Sequence, residues 1–186
     1  MQGKNHVKAN TAILLASLSF SSSIPFITER MIPPDPGIVS SVVYPLVGYS
    51  CFVLGSLLPD IDHKYSTLGK YFYLPVRHRT WTHSIWFVLP FLWLGTKNRF
   101  MFWMALGIIL HILLDSFSAS GVSFFYPFTS MRTYRRAKAY RGHGLTLYSV
   151  GDPAEDIFML LVVVISLGFF VYIGLWNHGF WTFWGF

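Results

Sequence analysis

Residues 100–117 read FMFWMALGIILHILLDSF, an apolar run that is long enough to cross a membrane as a helix and carries His111 and Asp115 near its end. On a helix, residues four apart lie on the same face, about one turn from each other. An imidazole and a carboxylate at this spacing can share or bridge a metal ion. Because ionisable groups are costly to keep beside hydrocarbon, the pair predicts a functional site.

The whole chain has the composition of an integral membrane protein. Of its 186 residues, 53% are hydrophobic, 19% are aromatic and only 12% are charged, far from the balance of a soluble domain. Further apolar runs lie at about residues 9–27, 38–58, 82–95 and 157–176. With about 20 residues per span, the chain is predicted to be an all-α membrane protein, a bundle of about five transmembrane helices, with residues 1–186 as a single integral-membrane domain.

Two of these runs are weaker than the others. The first is interrupted by Asn10, Thr11 and serines 21–23, so a cleaved signal peptide is the competing interpretation. Residues 29–34 do not supply the small-residue cleavage site that a signal peptide needs. The third run is short and contains Pro90, which predicts a helix that is tilted, kinked or extended by residues before Thr82.

The distribution of basic residues predicts the orientation in the membrane. If five spans cross the membrane in alternating directions, the face opposite the N-terminus carries only three of the 14 Lys and Arg residues, namely Arg30, Lys97 and Arg99. The positive-inside rule then places the N-terminus and the loops at residues 60–83 and 129–156 in the cytoplasm. The net charge of +6 needs no nucleic acid to explain it, because the basic stretch at residues 132–141 is a short juxtamembrane loop suited to anionic lipid headgroups.

The candidate metal ligands all fall at the cytoplasmic ends of the predicted helices. They are His6 before the first span, Asp60, Asp62 and His63 after the second, His78 and His83 before the third, His111 and Asp115 late in the fourth, and Glu155 before the fifth. This convergence predicts one metal site at the cytoplasmic end of the bundle. Asp62 and His63 are expected to be ligands, whereas Asp60 is either a ligand or a carboxylate that orients one. Glu155 has a structural alternative, because carboxylates favour a helix N-terminus.

Three motifs together carry a family resemblance. They are GSLLPDIDH at residues 55–63, HRTWTHS at residues 78–84 and HILLD at residues 111–115, with Gly121 beyond. The set resembles the LexA-regulated, inner-membrane family of bacterial metal-dependent hydrolases, which is distantly similar to zinc-dependent phospholipases C. The resemblance implies metal ligation by His6, Asp62, His63, His83, His111, Asp115 and Glu155. This chain departs from the family pattern at Thr80, where glycine is expected, which puts the local turn and substrate access in question.

Two classes of function remain open. In the first, two or more Zn²⁺ ions, or Mn²⁺ or Fe²⁺ in their place, activate water to hydrolyse a phosphoester of a membrane lipid or lipid-linked substrate. Asp60, His78 and Arg79 are then the catalytic candidates, and Arg77 and Arg79 are the candidates for binding the substrate phosphate. In the second class, the ligands form a metal-ion or proton pathway in a transporter. The chain shows no internal repeat and its ligands crowd one face, which favours the hydrolase. A peptidase is less favoured, because no His-Glu-x-x-His helix is present.

Overall fold

The computed structural model describes residues 3–19, 38–128 and 147–177 of the chain. This part of the chain contains five α-helices and no β-strand. The helices are α1 (Gly3–Ser19), α2 (Ile38–Leu57), α3 (Ile85–Gly95), α4 (Arg99–Ser116) and α5 (Pro153–Asn177). Two 3₁₀ turns, Leu58–Asp62 and Trp81–His83, lie between α2 and α3. The predicted all-α class is therefore confirmed for the described residues.

Helix α3 is shorter than the predicted third span. It has 11 residues, about 16 Å at 1.5 Å per residue, which is roughly half of a 30 Å hydrocarbon core. The backbone at Ser84 is extended, with φ −100° and ψ 159°, and separates the helix from the turn at Trp81–His83. Of the three alternatives expected for this span, the helical extension before Thr82 is not observed, because a 3₁₀ turn at Trp81–His83 precedes the helix.

Two described helical stretches, Val43–Asp62 and Arg99–Ser116, are long and apolar enough to cross a membrane. This number is smaller than the five spans that the sequence predicts. The end of the first predicted span, at residues 20–27, lies outside the described residues, as does the basic stretch at residues 132–141.

Helix α4 lies at the centre of the described bundle. Its start is capped by Asn98, whose side chain accepts a hydrogen bond of 2.8 Å from the amide of Phe100. All three apolar clusters found in the described residues contain side chains of α4. Leu114 packs with α1 and α5, Phe102 and Trp103 pack with α1 and α2, and Ile108 and Ile112 pack with α3. Contacts on several sides thus fix the orientation of α4 and of the ionisable residues that it carries.

Two glycines allow α2 and α4 to approach closely. A Cβ added at Gly55 would overlap the carbonyl oxygen of Met104, and one added at Gly107 would overlap that of Phe52. Small residues permit this backbone contact between helices in membranes. Asn10 of α1 joins the same crossing, because its Nδ2 donates a hydrogen bond of 2.9 Å to Ser56 Oγ. The crossing places the end of α2, with the turn that follows it, beside the last turns of α4.

Candidate metal centre

Four buried side chains meet near the end of α4. We call Asp60, His83, His111 and Asp115 the inner cluster, since one ligand atom from each lies within 4.8 Å of all the others. His83 Nε2 is 3.4 Å from Asp115 Oδ2 and 3.7 Å from Asp60 Oδ1. His111 Nε2 is 3.5 Å from Asp60 Oδ1 and 3.9 Å from Asp115 Oδ2. Zn²⁺ bonds of about 2.0–2.1 Å imply edges of about 3.3 Å between tetrahedral ligands, and these four distances of 3.4–3.9 Å are close to that length.

Hydrogen bonds on the far side of both imidazoles direct a nitrogen toward the inner cluster. Nδ1 of His111 lies 2.6 Å from the backbone oxygen of Ser56 and donates to it. Nδ1 of His83 lies 3.0 Å from Thr82 Oγ1, and that hydroxyl donates to Asp62 Oδ2 at 2.5 Å, which leaves it free to accept from His83. These partners assign the proton of each ring to Nδ1. Both Nε2 lone pairs therefore face the inner cluster.

The two Nε2 atoms are buried and have no hydrogen-bond partner among the described residues. Buried polar atoms in proteins are nearly always paired, and a cation satisfies lone pairs that no donor reaches. Burial also lowers the pKa of His83, which favours the neutral ring that a metal ion requires. Two imidazole nitrogens and two carboxylates form a donor set that suits Zn²⁺, and also Fe²⁺ or Mn²⁺. The residues of the inner cluster thus fit a divalent metal ion.

His6 lies directly behind His111. Their rings are stacked with centroids 3.7 Å apart, and His6 Nε2 is 3.2 Å from Asp115 Oδ1. His6 is fully buried, and neither of its ring nitrogens has a hydrogen-bond partner among the described residues. Asp115 therefore presents one carboxylate oxygen to the inner cluster and the other to His6.

Asp62 and His78 form an outer pair beside the inner cluster. Together with His83 they make a second group whose ligand atoms lie within 4.8 Å of one another. Asp62 already has several hydrogen-bond donors, namely His78 Nδ1 at 2.6 Å, the amide of Arg79 at 3.1 Å and Thr82 Oγ1 at 2.5 Å. In this structure the Asp62 carboxylate organises the loop that carries His83.

The structure does not bring His63 or Glu155 to the inner cluster. His63 is exposed, with its ring centroid 5.0 Å from that of His78. Glu155 is buried, and its two oxygens accept hydrogen bonds from Asn5 Nδ2 at 3.0 Å and from the amide of Gly151 at 2.8 Å. These bonds tie the start of α1 to the start of α5. Metal ligation by His63 and by Glu155 stays a prediction.

Arg79 is buried, and its side chain is directed toward α4. Nη2 lies 3.1 Å from Asp115 Oδ2, and Nη1 donates a hydrogen bond of 2.7 Å to Ser118 Oγ. The φ of Arg79 is 62°, a left-handed conformation that costs a non-glycine residue about 1–3 kcal/mol. The hydrogen bond from its amide to Asp62 and the two guanidinium contacts hold Arg79 in this conformation. Arg77, the other predicted phosphate ligand, is exposed.

The turn accommodates Thr80 without a left-handed backbone. Thr80 has φ −110° and ψ −101°, which lies outside the α and β regions, and its hydroxyl donates to the carbonyl of Arg77. The left-handed conformation lies one residue earlier, at Arg79. The hydrogen bond to Arg77 thus holds Thr80 in the turn where the family has glycine.

Sequence reasoning missed Ser56 and Thr82, which set the orientation of the two inner imidazoles. Thr82 directly precedes His83 in the second motif, and this position next to a candidate ligand was the available signal. Ser56 acts on His111 through its backbone oxygen. Every residue has such an oxygen, so no side-chain pattern marks it.

Comparison with known proteins places the chain in a family. Residues 1–179 match the sequence model of a family described as YdjM inner membrane protein. Because the match covers nearly the whole chain, the chain belongs to this family. A protein of Bacillus subtilis (strain 168), named Uncharacterized protein YvsG, is 28% identical over 87 residues, which are 41% of this chain and 54% of that protein. The chain thus spans about half the length of this relative. No solved structure is significantly similar to the chain.

Proposed function

We propose that this member of an inner membrane protein family is a metal-dependent hydrolase that cleaves a phosphoester of a membrane lipid or lipid-linked substrate. The main support is the inner cluster, in which two buried Nε2 atoms face two carboxylates and have no hydrogen-bond partner in the part of the chain that the structure describes. Asp60, His83, His111 and Asp115 would hold the metal. A divalent cation bound there supplies Lewis acidity, which lowers the pKa of a water molecule and polarises a phosphoryl oxygen.

His78 is suited to proton transfer at the rim of the site. Its side chain is 35% exposed, and its ring centroid lies 5.2 Å from that of buried His83. The Asp62 carboxylate lies 2.6 Å from His78 Nδ1 and orients the ring. His78 would therefore give a proton to the leaving-group oxygen. Exposed Arg77, one residue before it, would bind the substrate phosphate.

Arg79 would act through Asp115. Its guanidinium contacts Asp115 and Ser118, so it holds the carboxylate in the orientation that faces His83. We assign it a positioning role, which differs from the role of phosphate ligand that the sequence predicts.

More than one metal ion would be bound. His6 Nε2 lies 3.2 Å from Asp115 Oδ1 while Oδ2 faces the inner cluster, so His6 and Asp115 would contribute donors to a second cation. Zn²⁺ is the first candidate, because imidazole and carboxylate donors suit it.

We also propose that the chain has five spans, with the N-terminus and the metal site on the cytoplasmic side. Helix α5 supports this, because it exposes large apolar side chains along its length, among them Ile157, Leu160, Leu161, Val164, Ile165 and Phe169. Apolar side chains exposed in such numbers fit contact with lipid. A reporter fused after Phe186 should be located outside the cytoplasm, because five spans place the two ends of the chain on opposite faces of the membrane. A fusion that reports a cytoplasmic location would contradict the five-span topology.

Metal analysis and phosphate release test the hydrolase directly. Protein purified without chelators should contain more than one equivalent of a transition metal, and it should release phosphate or a phosphorylated headgroup from at least one lipid in a bacterial panel. Chelation should abolish the release, and Zn²⁺ should restore it. Asp115→Asn should lose metal and activity together.

Metal-loaded protein that leaves the whole lipid panel intact would contradict the proposed chemistry. If the same protein in sealed vesicles moved metal ions or protons across the bilayer, the transporter would replace the hydrolase. Less than one equivalent of metal would contradict the multinuclear site.

A further inference from the structure

The loop between the two motifs at residues 55–63 and 78–84 has an unusual surface. Its aromatic side chains are largely exposed, with exposed fractions of 83% for Tyr65, 72% for Tyr71, 70% for Phe72 and 51% for Tyr73. Leu74 is exposed as well. Exposing four aromatic rings of one loop to water is unfavourable, so this surface indicates a binding partner.

Basic side chains are interleaved with the exposed rings. Lys64 Nζ lies 5.9 Å from the ring centroid of Tyr65, and Lys70 Nζ lies 4.9 Å from that of Tyr71. Arg77 is also exposed, and residues 64–77 contain no Asp or Glu. We call residues 64–77 the aromatic–basic loop. Its cations complement anionic groups, while its rings present both apolar surface and polar hydroxyls.

The aromatic–basic loop is held in a defined shape. Ser66 Oγ donates a hydrogen bond of 2.7 Å to the carbonyl of Asp60 and accepts one of 2.8 Å from the amide of Gly69. The amide of Leu74 donates to the carbonyl of Ile61 at 3.0 Å. A Cβ at Gly69 would overlap the carbonyl oxygen of His63, so the close turn requires glycine. The loop that carries the exposed rings is thus hydrogen-bonded to the backbone of the 3₁₀ turn Leu58–Asp62, which carries Asp60 of the inner cluster.

We propose that the aromatic–basic loop binds the headgroup region of anionic phospholipids. The loop directly follows the helical stretch Val43–Asp62, which is long and apolar enough to cross a membrane, so the rings lie next to the end of a candidate span. Aromatic rings favour the headgroup level of a bilayer, and lysines there attract anionic lipids. This binding would bring anionic lipid to the rim formed by His78 and Arg77. The lipid binding itself does not depend on hydrolysis, and its tests use chelator-treated protein so that turnover plays no part.

The depth of the loop can be measured with a spin label. The free Cys51 is replaced by alanine, Phe72→Cys is labelled, and the protein is placed in nanodiscs of phosphatidylcholine with phosphatidylglycerol. The ratio of the label's accessibility to oxygen, which concentrates in the bilayer, over its accessibility to a water-soluble nickel chelate should be higher in these nanodiscs than in nanodiscs of phosphatidylcholine alone. An equal or lower ratio would overturn the proposal. Protection from both reagents would also overturn it, because that result indicates a protein partner.

The selectivity for anionic lipid can be measured with spin-labelled lipids. The wild-type protein should immobilise labelled phosphatidylglycerol in preference to labelled phosphatidylcholine. The double variant Lys64→Gln and Lys70→Gln should reduce this preference at least about fivefold, since each lysine near the surface contributes appreciably to anionic lipid binding. Lys97→Gln, an exposed lysine in the connection between α3 and α4, is the matched control and should retain the preference. An unchanged preference in the double variant would overturn the proposal while leaving the hydrolase untouched.

Discussion

The inner cluster and the outer pair are built from the same residue types, but their polar atoms are satisfied differently. In the outer pair, Asp62 receives hydrogen bonds from a ring nitrogen, a backbone amide and a hydroxyl. In the inner cluster, Nε2 of His83 and of His111 has no hydrogen-bond partner among the described residues. A carboxylate that accepts several hydrogen bonds holds a loop in place, whereas buried nitrogens without hydrogen-bond partners favour the binding of a cation. The hydrogen bonds of a histidine or aspartate therefore indicate its role better than its residue type does.

His111→Ala should have the largest effect on metal binding. The substitution removes one of four inner donors, so the affinity for Zn²⁺ should fall by more than about 100-fold, beyond the range typical for loss of a supporting residue. Thermal stability in the presence of Zn²⁺ should fall as well, because metal binding energy is also folding energy. A competition titration with a chromophoric chelator on detergent-solubilised protein measures the affinity. An affinity equal to that of the wild type would exclude the inner cluster as the metal site.

Thr82→Val should have the next largest effect. Valine keeps the shape of threonine but removes the hydroxyl that connects Asp62 to His83 Nδ1, so the affinity for Zn²⁺ should fall about 10–100-fold. Thr80→Val is the matched control, because the Thr80 hydroxyl donates to the carbonyl of Arg77 and, among the described residues, to no side chain of the inner cluster. The same chelator titration applies to both variants. Equal affinities in the two variants would show that the connection through Thr82 does not orient His83.

Arg79→Lys distinguishes a positioning role from a phosphate-binding role. Lysine keeps the charge but cannot reproduce the paired contacts of the guanidinium with Asp115 and Ser118, so unfolding should become easier by about 1–3 kcal/mol. Metal affinity should fall less than in Thr82→Val, because lysine keeps a positive charge near Asp115, whereas valine removes the hydroxyl that accepts from His83 Nδ1. Denaturation in detergent and the chelator titration measure the two effects. Unchanged stability and metal affinity, with a loss of turnover alone, would instead support the phosphate clamp predicted from sequence.

His63→Ala should have the smallest effect. The side chain is exposed and lies outside the inner cluster, so the change in metal affinity should stay within about twofold, as for most surface substitutions. Metal content and the chelator titration check this expectation. A loss of tenfold or more would show that His63 reaches the metal, as the family resemblance implies.

The motifs and the apolar runs were sufficient to predict much of this protein. The run at residues 100–117 corresponds closely to α4 (Arg99–Ser116), because an uninterrupted apolar segment with a cap at Asn98 has few other ways to satisfy its backbone. The spacing of His111 and Asp115 also predicted that they share a helix face, because the relative direction of two side chains four residues apart depends only on the helix that carries them. The family followed from the order of the three motifs, and the match over residues 1–179 supports it.

The choice among neighbouring ligand candidates required the tertiary structure. Asp60, Asp62 and His63 lie within four residues of one another, and a 3₁₀ turn sends Asp60 to the inner cluster, Asp62 to the loop and His63 to the exterior. Similarly, the position of Arg79 depends on contacts with Asp115 and Ser118, which lie far along the chain. Sequence determined which residue types were present and which helices carried them. Packing and hydrogen bonds between distant segments decided which atoms face the inner cluster, because those interactions exist only once the helices have met.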